Sequence, residues 1–159
     1  MPENNIPRRI GVISDTHGYL EPAAARILAG VDLILHAGDI DSPAVLRQLE
    51  QIAPVVAVRG NMDQGAWTRN LKQTELITAG KTWIYMLHEY GRLDLDLHST
   101  DIKVLIHGHT HRAALETHQG VIYLNPGSPT LPRGAHNPSV AVITLAADGG
   151  NPRAEIFRI

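Results

Sequence analysis

The chain has 159 residues, 43% apolar and 19% charged, which excludes a disordered polypeptide and suits one domain over residues 1–159 with a sizeable core. A net charge near −2 with histidine neutral, and no run of Lys or Arg, leave no general attraction to nucleic acid. There is no cysteine for disulfides, no apolar signal core in Met1 to Arg9, and no apolar run near the roughly 20 residues that span a bilayer, so a cytoplasmic protein without membrane contact is expected.

Arg9 to Ser14 reads as a short buried strand, with β-branched Ile10, Val12 and Ile13. It stops abruptly at Ser14-Asp15-Thr16-His17-Gly18. Glu21 to Leu28 reads as a helix, with Pro22 in its first turn and Gly30 beyond its end. Val31 to His36 is a second strand, ending in Ala37-Gly38-Asp39. Ser42 caps a second helix that opens on Pro43 and runs to about Ile52. Pro54 to Val58 is a third strand, ending in Arg59-Gly60-Asn61-Met62-Asp63. This β-α-β-α-β order predicts a parallel sheet with all three polar loops on one rim. Open α/β sheets bind their ligands at that rim.

The second half is richer in strands. Gln73 to Ala79 and Thr82 to His88 read as a hairpin turning at Gly80-Lys81. Leu93 to Thr100 is expected as a short helix. Ile102 to Ile106 is a buried strand that runs into His107-Gly108-His109-Thr110-His111. Ala114 to His118 pairs with Val121 to Leu124, Asn125 to Pro129 is a loop, and Ser139 to Leu145 pairs with Ala154 to Ile159. An α/β half followed by a β-rich half predicts an α/β fold of two packed mixed sheets flanked by helices.

Taken singly, Asp15, Gly38-Asp39 and Gly60-Asn61 are ordinary turn residues. Three such loops on one rim, joined by His88 and by His109 and His111 at two further strand ends, form a set of oxygen and imidazole donors. Metal binding explains that set better than five unrelated turns.

In order, Asp15-x-His17, Gly38-Asp39, Gly60-Asn61, His88 and Gly108-His109-Thr110-His111 resemble the motifs of the calcineurin-like metallophosphoesterases. The likeness is to their small, single-domain bacterial and archaeal phosphodiesterase branch, and Asn125-Pro126-Gly127-Ser128 with Pro132-Arg133 supports it. The resemblance implies a four-layer α-β-β-α sandwich and two divalent ions, manganese first, with nickel, cobalt, zinc or iron as alternatives. Asp15, His17, Asp39 and His111 would hold one ion; Asp39, Asn61, His88 and His109 would hold the other, with Asp39 as the bridge. Such a pair, at roughly 3.5–4 Å, activates a bridging water toward phosphorus and draws charge off the phosphoryl oxygens. The activity implied is hydrolysis of small phosphodiesters. The alternatives are a phosphomonoesterase and a non-catalytic scaffold like the retromer subunit of this fold. Close relatives often self-associate, which leaves a homo-oligomer open.

The chain departs from the family in two places. Many relatives carry a histidine directly after the motif asparagine, where it can protonate the leaving group; Met62 stands here and cannot donate a proton. After His88 the branch often has glycine, and this chain has Glu89, read as facing solvent. Asp63 reads as turn-stabilising, with orientation of a metal ligand as the alternative. Arg133 and the Asn125 to Ser128 loop are candidates for the bound phosphate. His36 reads as a satisfied buried histidine, His98, His118 and His136 as surface residues, and His107 as lying outside the ligand set. With no inserted cap domain, an open site with shallow recognition is expected.

Overall fold

Alternation of aliphatic residues builds β1 (Arg9–Ile13), whose Ile10 and Val12 point into one core and Ile13 into another. The computed structural model describes residues 6–159; residues 1–5 of the polar N-terminal stretch lie outside the described residues. β1 pairs in parallel with β2 (Leu33–His36), and β2 with β3 (Val55–Ala57). On its other side β1 pairs antiparallel with β9 (Ser139–Thr144), which pairs with β10 (Arg153–Arg158). The first sheet therefore has the order β10-β9-β1-β2-β3. The second has the order β4-β5-β6-β8-β7, from β4 (Thr74–Ala79), β5 (Thr82–Leu87), β6 (Ile102–Ile106), β7 (Ala114–His118) and β8 (Val121–Asn125).

The two mixed sheets pack face to face. Ile10, Val12 and Leu35 of the first sheet meet Ile84, Met86, Val104, Ile106 and Leu124 of the second in one dry cluster. On the far side of the first sheet, α1 (Pro22–Leu28) and α2 (Pro43–Glu50) bury Leu28, Val45 and Leu49 against Ile13, Ile34 and Val140. Both helices begin on proline, and the Ser42 hydroxyl accepts the Ala44 N–H at 3.2 Å, so α2 starts where the capping pattern put it.

The expected helix over 93–100 is absent. A 3-10 turn, Leu97–Ser99, takes part of its place, and another, Tyr90–Arg92, comes just before it. The Asp96 carboxylate accepts the His98 N–H at 3.1 Å, and the Ser99 and Thr100 hydroxyls donate to the Asp96 and Leu97 carbonyls. These local side-chain bonds satisfy the backbone in a non-helical form. The segment still covers the outer face of the second sheet, where Leu93 and Leu97 lie against Leu105 and Val121. A third 3-10 turn, Ala66–Asn70, had no sequence expectation; the Thr68 hydroxyl closes it on the Gly65 carbonyl at 2.7 Å. No helix among the described residues is long and apolar enough to cross a membrane.

Register levels the strand ends. Ile13 pairs with His36 and His36 with Ala57, so the loops after β1, β2 and β3 leave the first sheet at one height. Met86 pairs with Ile106, so His88 and the His109 loop leave the second sheet together.

Candidate metal centre

Each strand end turns sharply. Asp15, His17, Asp39, His109 and His111 all have φ between 48° and 71°, the left-handed region that costs a side chain energy. Asp41 and Gln119 are the other non-glycine residues in that region among the described ones. Strained backbone is thus concentrated at five expected donors and one neighbour. The sharp turns aim consecutive side chains into the space between the two rims. Two glycines permit the approach: a Cβ on Gly60 would overlap Asp39, and a Cβ on Gly108 would overlap the Ser14 hydroxyl and come within 2.7 Å of Asp15 Oδ2.

Donor atoms of Asp15, His17, Asp39 and His111 lie within 4.8 Å of one another. His17 Nε2 is 3.0 Å from His111 Nε2, which is 3.3 Å from Asp15 Oδ1. The tautomers follow from the outer partners. His111 Nδ1 meets the Leu131 carbonyl at 2.6 Å, and His17 Nδ1 meets the Asp41 carboxylate at 2.8 Å. Both acceptors require Nδ1–H, which leaves a lone pair on each Nε2 of the neutral rings. Two such nitrogens at 3.0 Å, beside a carboxylate, present converging donors to a cation. Asp15 adds to this set. Its Oδ2 accepts from the Ser14 hydroxyl and the His109 N–H, but its buried Oδ1 has no hydrogen-bond partner. Burial raises the Asp15 pKa against the opposing pull of His88, the Ser14 hydroxyl and His111. The residues present fit a divalent ion.

Asp39, His88 and His109 form a second such group. Asp39 Oδ2 lies 3.2 Å from His88 Nε2 and 3.9 Å from His17 Nε2, so this one oxygen faces both groups. The Met62 N–H occupies the other oxygen, Oδ1, at 2.8 Å. Asn61 Oδ1 sits 3.0 Å from His88 Nε2 and 3.1 Å from His109 Nδ1. His88 Nδ1 donates to the Ala37 carbonyl at 2.7 Å, which aims its Nε2 lone pair inward. Burial lowers the His88 pKa, but Asp39 and Asp15 outweigh it and the net shift is upward. Burial alone would raise Asp39, whereas His88 and the Met62 N–H bring it below its usual value.

Two supporting carboxylates were weakly marked in the sequence. Asp63 is more than a turn residue and fits the ligand-orienting alternative, because it spans two ligand loops. Its carboxylate accepts the N–H groups of Asp39, Ile40, Asp41 and Gly60 at 2.8–3.0 Å. Burial pushes its pKa up against the N–H groups of Asp41, Gly60 and Ile40. Asp41, which orients His17, drew no functional reading; its only signal is a second carboxylate two residues after Asp39. The Asn125 to Ser128 loop braces the site from behind. Asn125 donates to the Gly108 carbonyl at 3.0 Å, and the Ser128 hydroxyl donates to the Asp15 carbonyl at 2.7 Å. The loop's Gly127 N–H is spent on Asn125 Oδ1, in keeping with a brace.

Arg133 joins the centre through its backbone, donating its N–H to the His111 carbonyl at 3.2 Å, while its side chain is exposed. Glu89 is half-buried and pairs with Arg92 at 3.3 Å, where solvent was expected. His36 is fully buried and satisfied, accepting the Gly38 N–H and meeting the Thr16 hydroxyl. His98, His118 and His136 are exposed. The His107 ring lies 5.3 Å from the Tyr90 ring and belongs to neither donor group.

A family model for the calcineurin-like phosphoesterase superfamily domain matches residues 9–148. A probable metallophosphoesterase of Methanothermobacter thermautotrophicus is 38% identical, over 94% of this chain and 91% of that one. Phosphodiesterase YfcE of Escherichia coli is 30% identical, over 82% of this chain and 84% of its own. Among solved structures, Vps29 of Entamoeba histolytica complexed with zinc superposes with a TM-score of 0.75 at 21% identity, over 94% of this chain and 98% of that one.

Proposed function

The chain belongs to the calcineurin-like phosphoesterase superfamily, and from that premise we propose that it hydrolyses small phosphodiesters at a site for two divalent ions. The observation that carries the reading is the sharing of one carboxylate: Asp39 stands in both donor groups. A divalent pair supplies Lewis-acid charge and a water deprotonated near neutral pH. The chain's own residues do the rest. Asp15, His17 and His111 hold one side, and Asn61, His88 and His109 the other. Carbonyls and Asp41 keep the ring protons on the outer nitrogens, so the inner nitrogens remain donors. One amide and four neutral imidazoles add no negative charge to that of two carboxylates, which keeps the site attractive to a phosphate anion. Arg133 is the proposed guanidinium for the phosphate's free oxygens.

The Met62 side chain, 52% exposed, offers no proton to a departing alkoxide. Esters with acidic alcohols as leaving groups are therefore the favoured substrates. Diesters are preferred to monoesters because relatives such as YfcE are named phosphodiesterases. Manganese is the proposed ion, with zinc, nickel, cobalt or iron accommodated by the same nitrogen and oxygen donors. A cytoplasmic location and possible self-association are part of this reading. The scaffold alternative rests on likeness of fold to Vps29 alone.

Purified protein with manganese is expected to hydrolyse bis(p-nitrophenyl) phosphate and to stop when chelator is added. Asp39→Ala is expected to lower turnover by about a thousandfold or more, as loss of both ion sites would. Equal rates in wild type and Asp39→Ala would overturn the mechanism, and no turnover with any divalent ion would favour the scaffold.

A further inference from the structure

The open, shallow site expected from the missing cap domain has a side chamber. A cavity of about 450 Å³ opens beside Asn61 and His88, the donors of one ion position. Its wall is Arg59, Gln73, Thr74, Glu89, Arg92 and Asp94. Leu87 is the one large aliphatic side chain in the lining, so an apolar arm gains little there. Two guanidinium groups face two carboxylates, so the charges balance and a second phosphate finds no net cation to meet. Three of the charged groups are already held: Arg59 Nε donates to the Asp63 carbonyl at 3.1 Å, and Arg92 pairs with Glu89 at 3.3 Å.

We propose that this chamber is the specificity subsite for one ester arm of the diester, and that the arm it takes is uncharged and hydroxyl-rich, of nucleoside size. The proposal rests on the phosphodiesterase reading. Balanced donors and acceptors suit hydroxyl groups, which do both. Glu89 and Asp94 accept from hydroxyls, and Gln73, Arg59 and Arg92 donate to ring and carbonyl oxygens. The volume falls within the roughly 300–1,000 Å³ of small-molecule pockets. Position gives the chamber its role: a phosphate held at Asn61 and His88 projects one arm toward it. The neighbouring residue Glu89, unusual for the branch, thereby joins the recognition wall through its pair with Arg92.

The test compares two substrates that share a leaving group: bis(p-nitrophenyl) phosphate and the p-nitrophenyl ester of thymidine monophosphate. Wild type is expected to show the lower KM for the thymidine ester. Gln73→Ala and Arg92→Ala are each expected to raise that KM about fivefold more than the KM for bis(p-nitrophenyl) phosphate, the loss of roughly one hydrogen bond. Both residues are exposed at the surface, so the fold tolerates the changes. A parallel measurement needs no turnover: saturation-transfer NMR of free thymidine with the metal-free protein. A thymidine signal that both substitutions weaken supports the proposal, even if no ester is hydrolysed and the phosphodiesterase reading fails. No thymidine signal in wild type, or binding of inorganic phosphate in its place, overturns it. Equal KM changes for the two esters overturn it as well.

Discussion

At the scale of single residues, a carboxylate outside the expected ligand set orders two of the ligand loops. Asp63 gathers four backbone N–H groups from the Asp39 and Gly60 loops. Removing its carboxylate leaves those donors buried and unpaired. Asp63→Ala is expected to cost about 3 kcal/mol in urea unfolding and to weaken metal binding about 10- to 100-fold by calorimetry. Unchanged metal affinity would show that the two loops hold their shape unaided. His36 sets an acid limit. Burial brings its pKa down from 6.5 to about 3, so it is neutral in the fold and protonates in the unfolded chain below 6.5. The unfolded state then binds the extra proton, and stability falls as pH drops through that window, by up to about 1.4 kcal/mol per pH unit. Unfolding free energies measured between pH 7 and pH 4 should slope accordingly, and His36→Gln should flatten that slope.

At the scale of elements, the site is made by strand ends in register. Three parallel strands of one sheet and two of the other stop at one rim, and close contact between loops is possible because glycine stands at the crossings. Gly108→Ala puts a methyl group onto the Ser14 hydroxyl and against Asp15. The expected result is a folded protein, by circular dichroism, with metal affinity at least about tenfold weaker, because Asp15 is pushed aside. Most strands, the hairpins and the two helices were legible, since period-two runs, proline openings and the Ser42 cap are local signals. The seven expected donors come together in two groups because each sits beside a strand end that the sequence marks. Local signals failed over 93–100, where Asp96, Ser99 and Thr100 side chains captured the backbone and made turns. Asp41 and Asp63 are hard to read for a different reason: apart from Gly60, their partners lie 22 to 24 residues away, across loops whose contact no periodicity announces. Arg133 remains a proposal resting on its motif.

At the scale of the whole molecule, the donors come from both sheets: Asp15, His17, Asp39 and Asn61 from one rim, His88, His109 and His111 from the other. An ion bound there fastens the two halves of the sandwich across their shared core. At a free-ion concentration of 100 times Kd, binding is worth about 2.7 kcal/mol, and chelation should lower Tm by roughly 5–10 °C. A melting temperature indifferent to chelator would mean that the ions do not bridge the sheets. The carboxylates that raise the His88 pKa let it take up a proton as pH falls, and an ion must displace that proton to reach its Nε2. Loading the site is therefore an exchange of protons for metal. The heat of metal binding measured in two buffers of unlike ionisation enthalpy should differ in proportion to the protons released, so the affinity of this donor set for a divalent ion is expected to depend on the acidity of its surroundings as well as on their metal content.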